Sequence, residues 1–94
     1  GSNSAQVNGQ VDGGTTRTYL LDARAGQRML ISLTSVSSPV YLTVVAPSGA
    51  VLAQASLGEQ SLDRFLPDNG DYSIQISTTP GTALTGFTLT VTVL

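Results

Sequence analysis

The chain of 94 residues contains no cysteine, no histidine, no lysine and no tryptophan. The lack of cysteine excludes a disulfide scaffold and thiolate metal sites. The lack of histidine excludes imidazole general bases, serine–histidine and cysteine–histidine pairs, and most zinc sites. We therefore expect a protein that is not an enzyme and that has no catalytic residues, no cofactor and no metal site.

Charged residues are also scarce, at 11% of the chain, against about 25% in a typical protein. Four arginines face six acidic residues, so the net charge is −2 and the pI is about 4.5. Binding to nucleic acid needs a basic stripe, so nucleic acid is excluded as a partner. No signal peptide and no apolar run of bilayer length occurs, so membrane insertion is not expected. A surface rich in serine and threonine but poor in charge is typical of exported proteins.

What the chain does have is a two-residue rhythm. From Phe87 to Leu94, apolar and hydroxyl side chains alternate almost without fault. A β-strand sends successive side chains to opposite faces, so this segment is predicted to be a strand with one buried face. The same period recurs along the chain, and no segment has a helical period. The predicted fold class is all-β, an antiparallel β-sandwich, jelly-roll-like, with about eight short strands.

One domain is predicted over residues 6–94. Gly1-Ser2 resembles a cloning remnant, and Gly1 to Ala5 is predicted to be disordered. Glycine and proline turns separate the strands. The predicted strands are Gln6–Val11, Thr15–Asp22, Arg28–Ser35, Val40–Ala46, Ala50–Ala55, Ser61–Leu66, Tyr72–Ile76 and Phe87–Leu94. Leu57–Gln60 is predicted to be a loop, and the pairing of the strands between Ala50 and Leu66 is left open.

Two acidic residues lie close together in the run Asp68-Asn69-Gly70-Asp71. A glycosidase needs two carboxylates flanking a cleft, whereas a tight turn projects both into solvent. Calcium needs about 6–8 oxygen ligands, and the spacing of a calcium loop is missing. Turn formation is the preferred interpretation, and a weak calcium site completed by backbone carbonyls is the alternative. Gly9, Gly13 and Gly14 are interpreted as turn and bulge glycines, because no helix or lysine follows them.

Several apolar side chains are predicted to face outward. If Tyr19 and Leu21 face the core, Leu20 faces solvent, and by the same alternation so does Leu30. A short reversal joins their strands, so we expect these two leucines to lie near one another, with Tyr41 and Val45 extending the patch. A contiguous apolar patch marks a contact surface. Scattered surface leucines, or cover of the patch by a loop, are the preferred interpretation, and a partner-binding surface is the alternative.

The order of the motifs resembles the bacterial pre-peptidase C-terminal (PPC) domain. The resemblance covers nearly the whole chain after its first residues and lies in Tyr19–Gln27, Met29–Leu33, Pro47–Gly49, Leu66–Ile74 and Phe87–Val91. It implies a non-catalytic accessory or binding module of an exported bacterial protein, extracellular or periplasmic. The implied partner is a protein, a peptide or a polysaccharide, and the module is expected to be attached to a larger exported protein. Some relatives in this family bind calcium and collagen, with the calcium at acidic segments. This chain lacks the acidic cluster near its start, so calcium and collagen binding do not carry over.

The chain is also similar to the periplasmic inhibitors of g-type lysozyme. Their Leu-Pro-x-Ser-Gly-x-Tyr loop, thought to plug the lysozyme cleft, matches Leu66–Tyr72, with Asn69 in place of serine. This resemblance implies an inhibitor that acts through Leu66–Tyr72. Asp68 and Asp71 count against it, since they bring negative charge toward a cleft with a catalytic carboxylic acid. The accessory module is our first interpretation and the inhibitor is the alternative. The predicted partner-binding residues are Leu20, Leu30, Tyr41, Asp68, Asn69 and Asp71.

Overall fold

A computed structural model describes residues 3–54 and 60–94. The described residues form strands joined by turns and bends, with no helix. The strands are β1 (Asn3–Val11), β2 (Arg17–Ala23), β3 (Arg28–Ser35), β4 (Tyr41–Val45), β5 (Val51–Ala53), β6 (Ser61–Phe65), β7 (Gly70–Ser77) and β8 (Thr85–Val93). No helix of the described residues is long and apolar enough to cross a membrane.

The strands form two four-stranded antiparallel sheets. The first sheet has the order β1-β8-β3-β6 and the second has the order β2-β7-β4-β5. Four of the hydrogen-bonded pairs are therefore nested in sequence: β1 with β8, β2 with β7, β3 with β6 and β4 with β5. The prediction of an all-β antiparallel sandwich of about eight strands is confirmed.

Alternate side chains of the strands point inward and form the core between the two sheets. On β8, odd-numbered residues are buried and even-numbered residues are partly exposed, from Thr85 to Val93. Tyr72, Ile74 and Ile76 of β7 are buried in the same way opposite them. The largest fully buried side chains include Tyr72, Met29, Leu42, Ile74, Ile76 and Leu89. Burying side chains of this size contributes roughly 1.5–3 kcal/mol each, which is what holds the sheets together.

The predicted boundaries hold best where the alternation is strongest. β3 has the predicted bounds, Arg28–Ser35. The prediction that residues up to Ala5 are disordered is wrong for Asn3, Ser4 and Ala5. These residues extend β1 because they pair with Val93, Thr92 and Val91 of β8. Gly1 and Ser2 lie outside the described residues.

The register gives the pairing of the strands between Ala50 and Leu66, which the sequence left open. β6 pairs with β3, with Ile31 opposite Leu62, so it is an edge strand of the first sheet. β5 is reduced to Val51–Ala53, and its register with β4 shifts between Val44 and Val45. Ala55 and the first three residues of the predicted Leu57–Gln60 loop lie outside the described residues.

Gly9 is not a bulge, which corrects the sequence interpretation. The β1–β8 register runs without a shift from Asn3 to Val11, and Gly9 lies directly opposite Phe87. A Cβ atom on Gly9 would come within 2.7 Å of Cζ of the Phe87 ring. Since Phe87 is buried, glycine is needed here to make room for the aromatic ring.

The connections lie at two ends of the sandwich. One end, which we call the upper end, carries connections 24–27, 46–50 and 66–69. Their common position follows from the register, because Ala23 lies opposite Gly70, Arg28 opposite Phe65, and Val45 opposite Ser73. The lower end carries connections 12–16, 36–40 and 78–84. The segment that resembles the inhibitor loop is therefore at the upper end.

Candidate functional site

The candidate site is the segment Leu66–Tyr72, which crosses from β6 in the first sheet to β7 in the second. Its first residue, Leu66, is 3% exposed and is held at both of its backbone groups. The Leu66 N–H donates to the Gln27 carbonyl at 2.7 Å, and the Gly26 N–H donates to the Leu66 carbonyl at 2.9 Å. The 24–27 turn therefore fixes the point at which the segment leaves the core.

Its last residue, Tyr72, holds the segment from inside. The ring is buried among the core side chains, while the hydroxyl reaches the backbone of Asp68. The Tyr72 hydroxyl accepts the Asp68 N–H at 3.0 Å and donates to the Asp68 carbonyl at 2.7 Å. Both backbone groups of one loop residue are thus satisfied by one buried side chain, which fixes the path of the segment.

The polar side chains of the segment bind the neighbouring turns. The Asp68 carboxylate accepts the Ser48 hydroxyl at 2.6 Å and the Ser48 N–H at 3.4 Å. The Asn69 side-chain carbonyl accepts the Ala25 N–H at 2.8 Å. These bonds tie the segment to both other upper-end connections, so the upper end is one cross-linked unit.

Gly70 allows the segment to pass close to the 46–50 connection. Its φ is +129°, a backbone conformation that L side chains rarely adopt. A Cβ atom here would also lie 3.1 Å from Cγ of Pro47. The backbone conformation therefore favours glycine, and the Pro47 ring leaves little room for a side chain, at the position that the inhibitor motif also fills with glycine.

The two acidic residues of the segment point to different places. Asp68 turns toward Ser48, whereas Asp71 lies on the outer face of the second sheet, directly opposite Asp22. Residues 3–54 and 60–94 contain no group of three or more acidic, histidine or cysteine side chains placed to hold a metal ion. Asp68 and Asp71 are therefore not placed as a carboxylate pair across a cleft. The exposed side chains of the segment are Pro67, Asn69 and Asp71.

The expected patch around Leu20 and Leu30 does not form. Leu20 lies on β2 in the second sheet, and Leu30 lies on β3 in the first. Because both face outward, they lie on opposite sides of the sandwich. The prediction failed because the short 24–27 connection is not a hairpin: it crosses between the sheets and hydrogen-bonds to Leu66.

The other two residues of that patch do share a face with Leu20. Tyr41 and Val45 are half-buried on the outer face of β4, and Val45 and Leu20 both lie opposite Ser73 of β7. Leu20 itself is 70% exposed. An outer face with these three side chains is therefore present, but Ser73 separates Leu20 from Val45.

Phe65 was not singled out in the sequence. It is 73% exposed and immediately precedes the candidate segment. It lies opposite Arg28, whose guanidinium donates two hydrogen bonds to the Asp63 carboxylate, at 2.8 and 2.7 Å. These bonds lower the pKa of the Asp63 carboxyl and raise that of Arg28. The alternation of buried Leu62 and Leu66 was the signal that Phe65 faces outward.

Two grooves lie along the open sides of the sandwich. One, of about 400 Å³, runs between β5 and β6 and is lined by Leu52, Gln54, Asp63 and Arg64 among others. The other, an apolar cleft of about 180 Å³, runs between β1 and β2. Among residues 3–54 and 60–94, neither groove is lined by two carboxylates.

Comparisons with known proteins identify structural neighbours. No protein-family model matches the sequence, and no curated protein matches it. A crystal structure of Aeromonas hydrophila PliG, a periplasmic lysozyme inhibitor of g-type lysozyme, is similar with a TM-score of 0.81 and 27% identity. The match covers 100% of this chain and 89% of that one.

Two further structures of such inhibitors match. PliG of Salmonella Typhimurium has a TM-score of 0.75 and 19% identity, over 98% of this chain and 92% of that one. A mutant of PliG from Escherichia coli has a TM-score of 0.75 and 20% identity, over 100% of this chain and 90% of that one. At these identities the two matches show the fold. The A. hydrophila neighbour is a periplasmic protein of a bacterium, in agreement with the predicted extracellular or periplasmic location in bacteria.

Proposed function

We propose that this protein is an inhibitor of g-type lysozyme that acts through Leu66–Tyr72. The observation that carries the proposal is the match to the A. hydrophila inhibitor over 100% of this chain and 89% of that one, together with the Leu-Pro, Gly and Tyr residues of the motif at the upper end of the sandwich. The partner is then a protein, and the chain itself has no catalytic role. The three neighbours named above are all inhibitors of g-type lysozyme, which favours the inhibitor over the PPC-like accessory module.

The rigidity of the segment supports this function. A loop that inserts into a cleft loses conformational entropy on binding unless it is already ordered. Here Tyr72 bonds to Asp68 within the segment, and Ser48 and Ala25 bond to it from the neighbouring turns. Pro67 further restricts the backbone beside Leu66. The segment is therefore held in one shape before any partner arrives.

The geometry also weakens the electrostatic objection. The Asp68 carboxylate is half-buried and bonded to Ser48, and Asp71 lies on the sheet face beside Asp22. Pro67 and Asn69, which are uncharged, are the exposed residues between Leu66 and Gly70. A cleft with a catalytic carboxylic acid would therefore meet a neutral tip. The Asn69 side-chain amide can also donate N–H hydrogen bonds to a carboxylate.

The experiment measures lysis of bacterial cell walls by a g-type lysozyme with this protein added at micromolar concentration. The key variant is Pro67→Glu, which puts a carboxylate on the tip. Its matched control is Leu84→Glu, because Leu84 is 58% exposed and belongs to the 78–84 connection at the lower end. Both variants carry the same added charge, at opposite ends of the sandwich.

We expect the unchanged protein and Leu84→Glu to suppress lysis equally, and Pro67→Glu to lose at least about tenfold in potency, which corresponds to about 1.4 kcal/mol. Thermal unfolding checks that both variants are folded. A wild-type protein without effect on lysis rules out the function. Equal potency of the two variants rules out the segment as the inhibitory site.

A further inference from the structure

Strand β1, at the edge of the first sheet, has no charge, no proline and no bulge to protect that edge. It is nine residues long. Natural edge strands avoid pairing with other chains by being short, by carrying charges or proline, or by bulging. β1 is therefore an open template for another strand.

The other edges of the described sheets are protected. β2 carries Arg17 and Asp22, and β6 carries Asp63 and Arg64. β5 has three residues and a register shift against β4. The contrast within one molecule singles out β1 as the edge that is left available.

The backbone groups that face outward on β1 follow from one contact. The Gln10 carbonyl accepts the Nε of Arg17 at 3.0 Å, and Arg17 belongs to the other sheet. The Gln10 carbonyl therefore points away from β8. Residues of an antiparallel strand alternate, each sending its N–H and C=O to the same side. Ser4, Gln6 and Asn8 thus direct their N–H and C=O groups outward.

An apolar cleft lies beside this row of donors and acceptors. Ala5 and Val7 of β1 face Tyr19 and Leu21 of β2 across about 180 Å³. Leu20, 70% exposed, also lines it. A strand added to β1 would shield these side chains from water, so apolar burial adds to the hydrogen bonds of the new ladder.

We propose that β1 pairs antiparallel with β1 of a second copy of this chain, joining two first sheets into one continuous sheet. Centred on Gln6, the pairing places Ser4 opposite Asn8 of the second copy. This register uses the outward-facing residues and leaves Gln10, already bonded to Arg17, outside. The contact is isologous, as in most homodimers.

The charge of the strand selects this occupant. Because β1 has no charged residue, two copies meet without repulsion. The same neutrality gives a strand of a different, charged protein no electrostatic advantage. In an antiparallel pair the two upper ends point in opposite directions, so the dimer leaves both Leu66–Tyr72 segments uncovered. The proposal therefore stands independently of the proposed function.

The test is sedimentation of the protein at concentrations from about 10 μM to about 1 mM, where a modest interface of this kind associates. We expect a monomer at the low end and a dimer at the high end. Gln6→Pro removes the outward N–H of Gln6 alone, and proline is tolerated where the N–H of an edge strand faces solvent. Gln6→Lys brings two ammonium groups together across the axis and covers the case in which the proline variant fails to fold.

The control is Gln75→Lys, which adds the same charge to β7, an inner strand of the second sheet. We expect both Gln6 variants to stay monomeric with unfolding temperatures near that of the wild type, and Gln75→Lys to dimerise normally. Amide exchange at Ser4, Gln6 and Asn8 should slow at the high concentration. A wild type that is monomeric throughout, a dimer that survives in the Gln6 variants, or one lost equally in Gln75→Lys overturns the proposal.

Discussion

At the scale of the residue, two adjacent glycines of the β1–β2 turn differ in what surrounds them. A Cβ atom on Gly13 would lie 2.4 Å from the Gly81 nitrogen and 2.8 Å from the Thr79 carbonyl oxygen. Both are backbone atoms of the 78–84 connection, and the Gly13 N–H also donates to the Thr82 carbonyl at 2.9 Å. On Gly14, the contact would be Oδ1 of Asp12 at 3.5 Å, an ordinary distance.

We therefore predict that Gly13→Ala lowers the free energy of unfolding by about 1–3 kcal/mol, because backbone must move to admit the methyl group. Gly14→Ala is the matched control and should change it by less than about 1 kcal/mol, with stabilisation the expected direction. Urea unfolding of the two variants measures the difference. Equal effects of the two substitutions would show that the packing of Gly13 against residues 79–82 does not contribute to stability.

At the same scale, the sequence identifies the residues of the candidate segment better than it predicts which residues they contact. The Leu-Pro, Gly and Tyr residues identify the candidate segment, but the bonds from Tyr72 to Asp68 and from Ser48 to Asp68 join residues whose proximity depends on the folded upper end. For that reason the sequence assigned Asp68 a projecting charge, and the structure gives it a structural role. Phe65 was missed because a single exposed aromatic residue is common on protein surfaces.

At the scale of the element, alternation predicts strands where apolar and polar side chains both occur. β3 and β8 have strong alternation, and their predicted positions agree with the structure to within two residues. The start of β1, Asn3-Ser4-Ala5, lacks large apolar residues and gives no such signal. It is ordered by pairing with Val91–Val93 of β8, which is remote in sequence.

The start of β1 makes a direct prediction. A protein that begins at Gln6 should be less stable than one that begins at Asn3, by about 1–3 kcal/mol, because it loses the ladder pairs of Asn3, Ser4 and Ala5. Val91 and Val93, now 8% and 7% exposed, also lose part of their cover. Thermal or urea unfolding of dilute samples measures the change. Equal stability of the two proteins would support the original expectation of a disordered start.

At the scale of the whole molecule, the decisive information is which sheet each strand joins. Leu20 and Leu30 were correctly predicted to face outward, yet they lie on opposite sides because the 24–27 connection crosses between sheets. A hairpin and a crossing connection of this length share the same turn residues. Whether the connection forms a hairpin or crosses between sheets is decided by the pairing of β2 with β7 and of β3 with β8. These strands are distant from one another in sequence. Periodicity alone carries no information about them.

The nested pairing also makes the two sheets depend on one another. Each sheet has one apolar inner face, and the buried residues of both sheets form one core cluster. Separating the sheets would expose that face on each, so neither is expected to persist alone. We therefore predict one cooperative unfolding transition.

The distribution of tyrosines allows this to be measured. Tyr19, Tyr41 and Tyr72 all lie in the second sheet, on β2, β4 and β7, and the chain has no tryptophan. Tyrosine fluorescence therefore follows the second sheet, whereas far-ultraviolet circular dichroism follows both. We expect the urea midpoints of the two signals to coincide. If the fluorescence changed at a different urea concentration from the dichroism, the sheets would unfold separately, and the shared core would not be what determines the stability of the fold.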